Sequence, residues 1–325
     1  MAIIVTRCRS KMEPEIMPSL PPILVPTYSR SVVVVPPPGE GEGYWAGAPS
    51  AAVGADGTIY LAYRLRRPVG EGRGFANVVA QSMDGEHFTT LATLTSGEFD
   101  AESLERPYLV QLCDATWRLY VSAATPGTKH WRIDAVDATT PADFAAGNRR
   151  TVFPGDRNYG VKDPVIQFWD GMWHGWICFH PLERDEDADR METRYATSRD
   201  GLTWSSPTIS LQGTPGGWDA RGARVTAVLR DTKRVVAYYD GREDRESNTE
   251  ELTGIAHGSE PGLLVAQGVA PIARSPFGRG AFRYVTIINL PDNRRRMYYE
   301  TSRSDGSHEL RTELFPSLLP TLSRR

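Results

Sequence analysis

One pattern recurs five times along this chain: a short apolar strand, a tight polar turn and a second strand rich in aromatic or β-branched residues. Examples are "APSAAVGADGTIYLAYRLR" and "DPVIQFWDGMWHGWICFH". Each copy carries an aspartate at its turn, and the five are Asp56, Asp114, Asp170, Asp231 and Asp292. They are 58, 56, 61 and 61 residues apart. So regular a period indicates a repeat architecture in which each copy is one supersecondary unit.

Two strands joined by a tight turn form a β-hairpin, and about sixty residues per repeat leave room for two more strands. Turn-forming residues are abundant, with 30 Gly and 24 Pro, and sustained helical periodicity is absent. We therefore predict an all-β fold, a five-bladed β-propeller with four-stranded blades. The fifth copy is short of strands, so the N-terminal segment "RSVVVVPP" is predicted to complete that blade and close the ring. On this interpretation residues 1–28 are an N-terminal arm and residues 29–325 are the propeller domain.

The overall charge excludes some classes of partner. Lys and Arg number 37 against 40 Asp and Glu, a formal net charge of −3, so neither nucleic acid nor an acidic membrane surface is expected as a partner. No stretch approaches the roughly 20 apolar residues that span a bilayer, and the N-terminus lacks the apolar run of a secretory signal. We expect a cytoplasmic protein whose three cysteines are reduced.

No cofactor and no metal are predicted. The six histidines form no cluster with the spacing of a zinc site. The glycine-rich stretch "GEGRGF", residues 70–75, follows one strand and precedes another, so it is predicted to be a loop and not a nucleotide-binding turn.

Charged residues recur near the start of the first strand in four of the five repeats. In a propeller these strands line the central channel, so matching positions converge on one opening. Convergent acids and bases in a funnel are typical of binding and catalysis on a polar ligand. The candidates found in this way are Glu105, Arg106, Lys162, Asp163, Asp219, Arg221, Arg224 and Arg283.

Asp240 and Arg242 directly follow the second strand of the fourth repeat, where a charged loop begins. A guanidinium held by a carboxylate recognises hydroxyls or anions through paired hydrogen bonds, so both residues are predicted to bind substrate. Much of the remaining loop, residues 243–251, is expected to be solvated.

The stretch "VKDPVIQFWDGMWHG" resembles the second acidic motif of the five-bladed glycoside hydrolases of family 43 and its relatives in families 32, 62 and 68. The resemblance covers about residues 40–315 and implies a glycosidase acting on a carbohydrate or a small glycoside. It implies that Asp163 controls the ionisation of the general acid or stabilises positive charge in the transition state. Asp219 lies in the repeat that supplies the general acid, where those families have glutamate. Trp45 is then a candidate surface for sugar stacking.

Ala48 stands where those families place the aspartate that acts as base or nucleophile. A methyl group neither activates water nor attacks a sugar. Glu105 would then have to supply that carboxylate, or the chemistry differs, or there is none. Two alternatives therefore stay open. One is a phosphate-dependent glycoside phosphorylase similar to family 130, with the basic residues of the repeat starts binding phosphate. The other is a carbohydrate-binding propeller without catalysis.

Overall fold

The computed structural model describes residues 23–230 and 234–317. Most of the predicted arm, and the turn residue Asp231, therefore lie outside the described residues. The strands in chain order are β1 (Val32–Val35), β2 (Trp45–Val53), β3 (Ile59–Arg66), β4 (Gly74–Ser82), β5 (Thr89–Thr95), β6 (Leu104–Gln111), β7 (Trp117–Ala124), β8 (Trp131–Ala138), β9 (Asn148–Phe153), β10 (Tyr159–Trp169), β11 (Met172–Pro181), β12 (Glu192–Ser198), β13 (Thr208–Gln212), β14 (Ala223–Arg230), β15 (Val235–Gly241), β16 (Leu252–Glu260), β17 (Leu263–Gln267), β18 (Phe282–Asn289), β19 (Arg295–Ser302) and β20 (His308–Phe315). Short 3-10 helices span Tyr28–Arg30, Gly97–Phe99, Pro141–Ala146 and Asp185–Asp187.

Antiparallel pairing groups the strands of the described ranges into five four-stranded units. Four of them run β2 to β5, β6 to β9, β10 to β13 and β14 to β17. The fifth contains β18, β19 and β20, and β1 adds to the outer edge of β20. The N-terminal segment predicted to complete the last unit is therefore confirmed as β1. A parallel bridge between Trp45 and His308 also joins the first and last units.

The first strand of every unit is interrupted near its start by a register shift, typical of a β-bulge. Ala48, Asp163 and Tyr284 lie at these irregularities with positive φ angles of 49°, 54° and 55°. Left-handed backbone at non-glycine residues is uncommon and needs support from its surroundings. A bulge bends its strand and changes the direction in which the side chain at the bulge points.

Two outer hairpins carry the same turn, Ser82-Met-Asp-Gly and Ser198-Arg-Asp-Gly, and each docks onto the preceding unit. In the first turn, Asp84 accepts backbone hydrogen bonds from two residues that follow it. The carbonyl of Gly85 accepts from the hydroxyl of Tyr298, and that of Gly201 accepts from Tyr120. The repeated turn therefore has a structural role: it pins neighbouring units together.

The apolar core lies between neighbouring units, where side chains of adjacent sheets interdigitate. Leu24 belongs to this core, and its backbone N–H and C=O both hydrogen-bond the hydroxyl of Tyr238. The end of the arm that is described thus packs on the propeller. Within the described ranges, no helix has both the length and the apolar character that crossing a membrane would require.

Candidate functional site

Nine charged side chains meet in the middle of the molecule, each at most 3% exposed. We call them the central ion-pair cluster, and its members are Arg64, Glu105, Asp163, Arg224, Asp240, Arg242, Glu251, Arg283 and Glu300. Every one of the five units contributes at least one of them. Desolvating so many charges is costly unless each is paired, and the pairing described below meets that requirement.

Arg224 joins two of the predicted carboxylates. Its guanidinium lies 3.0 Å from Asp163 Oδ2 and 2.7 Å from Asp240 Oδ2. Asp240 also accepts from the backbone N–H of Tyr284, which ties the fourth unit to the fifth. Asp163 Oδ1 is buried and has no hydrogen-bond partner among the described residues.

Glu300 pairs the first unit with the fifth. Its Oε2 accepts from Arg64 at 2.9 Å and from the backbone N–H of Ala48 at 3.0 Å, and its Oε1 accepts from Arg283 at 2.6 Å. His308, fully buried, lies 2.8 Å from the same Oε1. Arg64 continues the chain of contacts to Glu105 in the second unit.

Glu251 corrects the expectation that residues 243–251 are a solvated loop. It is 2% exposed and accepts from Arg242 at 2.6 Å and from Arg283. Arg242 is thus held by Glu251 and by the neighbouring Asp189, while Asp240 is held by Arg224. The two residues predicted as a mutual pair each have a different partner: Asp240 lies within β15, whereas Arg242 follows the last residue of that strand and contacts Glu251 and Asp189.

Tyr284 lies among the arginines of the cluster. Its hydroxyl accepts from Arg224 at 2.8 Å and donates to Asp163 at 3.3 Å. The guanidinium carbon of Arg224 is 3.8 Å from the ring centroid, and those of Arg64 and Arg283 are within 6 Å. Cation–π attraction at this depth adds to the ion pairs.

Arg106 links the second unit to three other units through hydrogen bonds of its guanidinium. It is fully buried and donates to the carbonyls of Pro49, Thr226 and Val285, which lie at or next to the bulges of three other units. Among the described residues it has no salt-bridge partner, and burial lowers the pKa of its guanidinium, while Tyr108, Asp163 and Asp240 act in the opposite sense. These contacts point to a structural role for Arg106, because its guanidinium is buried and joins the carbonyls of three other units.

Trp45 has no open face for a sugar. It is 3% exposed, stacks on His308 with centroids 4.8 Å apart, and has the Arg66 guanidinium 4.0 Å from its ring centroid. The proposed stacking surface is therefore already covered by protein.

Asp219 and Arg221 lie apart from the central cluster. Asp219 accepts from Thr214 and from the hydroxyl of Tyr239, and it packs on the glycine at 241. Tyr239 and Gly241 alternate with Asp240 along β15, so Asp219 contacts the opposite face of that strand. Arg221 pairs with Asp189 at the edge of a cleft of about 530 Å³.

Sequence reasoning missed four members of this site, Arg64, Glu251, Glu300 and the adjoining His308. In three of the repeats the second strand carries a charged residue at the same position. Arg64, Asp240 and Glu300 each pair with a residue that lies just before a bulge in the first strand, so they occupy matching positions of their repeats. Comparing the second strands, as well as the first, would have added Arg64 and Glu300 to the predicted Asp240.

Burial raises the pKa values of Glu105, Glu251 and Glu300, but the charges of adjacent arginines outweigh it and hold all three pKa values below the ordinary range. Asp240 differs, because burial dominates and raises its pKa from 3.8 to about 6 despite Arg224. Three of the buried carboxyl groups are therefore held ionised, and the pKa of the fourth, Asp240, is raised toward neutral pH.

We expect stability to pass through a maximum near pH 5. The three acids with lowered pKa values stabilise the fold above their ordinary pKa of 4.5, and this stabilisation is lost as the pH falls below it. Asp240 acts in the opposite sense, since its contribution is present below 3.8 and lost as the pH rises through about 6. Urea midpoints measured from pH 7 to 3 should rise and then fall. Asp240→Asn should remove the rise and keep the fall, and a midpoint that climbs steadily to pH 3 would contradict the assignment.

In the part of the chain that the structure describes, no group of three or more His, Cys, Asp or Glu side chains is arranged to hold a metal ion. The carboxylates of the centre are instead neutralised by guanidinium groups.

Comparisons with known proteins bear on the fold. No protein-family model and no curated protein matches the sequence. A thermostable family-43 glycoside hydrolase is similar in structure, with 14% identity, a TM-score of 0.66, and coverage of 86% of this chain and 96% of that one. A β-1,2-mannobiose phosphorylase from Listeria innocua has 18% identity, a TM-score of 0.61, and coverage of 88% and 94%.

An α-L-arabinanase from Penicillium chrysogenum is also similar, with 11% identity, a TM-score of 0.60, and coverage of 89% of this chain and 98% of that one. At such identities the likeness concerns the fold alone. The all-β β-propeller predicted from the repeats is thereby confirmed, and this chain has the fold seen in these glycoside hydrolases and in the phosphorylase.

Proposed function

We propose that the protein cleaves a glycosidic bond at the mouth of the channel, with Glu105 and Asp163 as the reacting carboxylates. The observation that carries this proposal is their placement. They follow the last regular pair before the bulge on the neighbouring first strands β6 and β10, so they occupy matching positions. Lys162, the less deeply buried residue between them, is 3.9 Å from Asp163 Oδ2 and contributes to lowering the pKa of Glu105.

The two carboxyl groups suit different tasks. Glu105 is held ionised by Arg64, as a base or nucleophile needs to be. Asp163 keeps one oxygen without a hydrogen bond, which is free to interact with a substrate hydroxyl or with the leaving group. Asp219 is proposed to hold the segment before β14 through Thr214 and Tyr239, and the general acid role predicted for it has no support from these contacts.

The substrate would approach past Lys162 and Arg66, two cations beside Glu105 whose side chains are 16% and 11% exposed. Neither makes a hydrogen bond that would hold it in place within the described residues. Rotation of these two side chains uncovers the carboxylates, and this is the conformational step that the proposal requires.

Wild-type protein should hydrolyse one or more aryl glycosides from a panel that includes arabinofuranosides, xylosides, mannosides and glucuronides. In Asp163→Asn and Glu105→Gln, kcat/KM should fall by about 10²- to 10⁴-fold, since each loses a carboxylate that takes part in the reaction. Glu102→Gln, an exposed position three residues from Glu105, is the matched control and should keep full activity. Circular dichroism establishes that each variant is folded. Full activity in a folded Asp163→Asn protein would refute the assignment.

A second candidate is carbohydrate binding without cleavage. It is favoured by Ala48, which is fully buried and whose N–H donates to Glu300, so the first unit offers no carboxylate at its bulge. Binding of glycans with no turnover across the panel would support it. A phosphorylase would be distinguished from both a hydrolase and a binding protein, because it would cleave the glycosidic bond only when inorganic phosphate is present.

A further inference from the structure

Three cations stand around Glu105 at the mouth of the channel, in addition to its partner Arg64. They are Arg66, Arg73 and Lys162, which we call the rim triad. Arg66 lies 3.7 Å from Glu105 Oε1, and both Lys162 and Arg73 lie within 6 Å of the ring centroid of Trp131. Arg64 already neutralises Glu105 through a hydrogen bond, and Asp163, 3.9 Å from Lys162, is neutralised by Arg224, so the three cations exceed the carboxylate charge left to pair with them.

The rim triad is poorly paired, unlike the cluster beneath it. None of its side chains makes a hydrogen bond within the described ranges. The Nε atoms of Arg66 and Arg73 are buried and lack a partner. The Arg66 side chain is only 11% exposed, so water compensates little of this loss. A buried guanidinium without acceptors costs free energy that a bound anion would recover.

Arg73 lies in a turn with an unfavourable backbone conformation. Gly72 and Arg73 have φ angles of 111° and 40°, and the second is in the left-handed region that a long side chain seldom adopts. Gly74 allows this turn to pack tightly on the second unit, since a Cβ there would lie 1.8 Å from the carbonyl oxygen of Leu104. Strain of this kind persists where the surroundings hold it, and it is common at binding sites.

We propose that the rim triad binds the carboxylate of an acidic sugar, which makes a uronic acid glycoside the substrate class of the site. This rests on the proposed function, and it assigns the glycine-rich loop a role in recognition. Two guanidinium groups and an ammonium around one opening match a carboxylate, because guanidinium forms paired hydrogen bonds with it. Trp131, half-buried at the start of β8, supplies the apolar wall against which the sugar ring packs.

Binding is measured without turnover, using isothermal titration calorimetry and the indole N–H signal of Trp131, which is assigned with Trp131→Phe. The probes are D-glucuronic and D-galacturonic acid, their neutral counterparts D-glucose and D-galactose, and inorganic phosphate. We expect the uronic acids to bind at least tenfold more tightly than the neutral sugars and phosphate. Arg73→Gln and Lys162→Gln should each raise the Kd of the uronic acids about tenfold.

Arg67→Gln is the matched control, because Arg67 is exposed on the same turn, contacts Phe75 and lies outside the rim triad. Its Kd should equal that of the wild type. Equal binding of neutral and acidic sugars, or phosphate binding as tight as that of uronic acids, would overturn the proposal. If uronic acids bind as expected but no glycoside is cleaved, the proposed function fails and this inference stands. If neutral glycosides are cleaved and Arg73→Gln does not change the Kd of the uronic acids, the proposed function stands and this inference fails.

Discussion

Replacing Glu300 by glutamine is expected to lower the free energy of unfolding by about 3–5 kcal/mol, the usual cost of removing one partner from a buried ion pair. Glu300 is fully buried and accepts from Arg64, Arg283, His308 and the backbone of Ala48. A neutral amide leaves the two guanidinium groups short of a compensating charge, and its NH2 group cannot accept a hydrogen bond. Urea unfolding followed by circular dichroism at pH 7 measures the change.

Glu260→Gln is the control for this experiment, since Glu260 is an exposed glutamate at the end of β16. It should change the free energy of unfolding by no more than about 0.5 kcal/mol. A loss below about 1 kcal/mol in Glu300→Gln would mean that water or a shifted side chain replaces the carboxylate, and that the cluster is not the tightly closed network described above.

Arg106→Met is the second substitution with a large expected effect, about 4 kcal/mol of lost stability, because it leaves several buried carbonyls without a donor. Methionine fills a similar volume but donates no hydrogen bond, so the carbonyls of Pro49, Thr226 and Val285 lose a buried donor. Each unsatisfied buried carbonyl costs about 1–3 kcal/mol. The loss should be visible as a lower urea midpoint and as faster amide exchange in β2, β14 and β18, the strands that Arg106 joins.

Arg157→Met, at an exposed position, is its counterpart and should leave the midpoint unchanged. Retention of wild-type stability by Arg106→Met would refute the structural role assigned to this arginine. It would then return Arg106 to the set of candidate binding residues, where the sequence alone had placed it.

Much of the fold was predictable because its signals are local. Alternating apolar residues on either side of a tight polar turn specify a hairpin, and five such copies at nearly equal spacing specify a ring of similar units. The closing strand β1 was also predictable, because the last repeat lacked a strand and a β-branched run stood near the other end of the chain.

The candidate site was predictable only in part. Aligning the repeats brought Glu105, Asp163, Arg224 and Arg283 to one place, since equivalent strand positions converge on the channel. The same reasoning placed Trp45 on an open surface, whereas His308 and Arg66 cover it. It also left Glu251 in solvent, whereas Arg242 and Arg283 bury it.

The sequence by itself determined the repeat, the strands and the concentration of charge at the first strands, because each depends on neighbours within about sixty residues. It also indicated the closure of the ring, although β1 and β20 come from opposite ends of the chain, because the last repeat lacked a strand. Only the tertiary structure decided which acid pairs with which arginine. Those partners, such as Arg224 with Asp163 or Glu300 with Arg64, are 61 and 236 residues apart and lie on different blades. Pairing at that distance depends on side-chain direction and desolvation in the assembled channel, which no local pattern encodes.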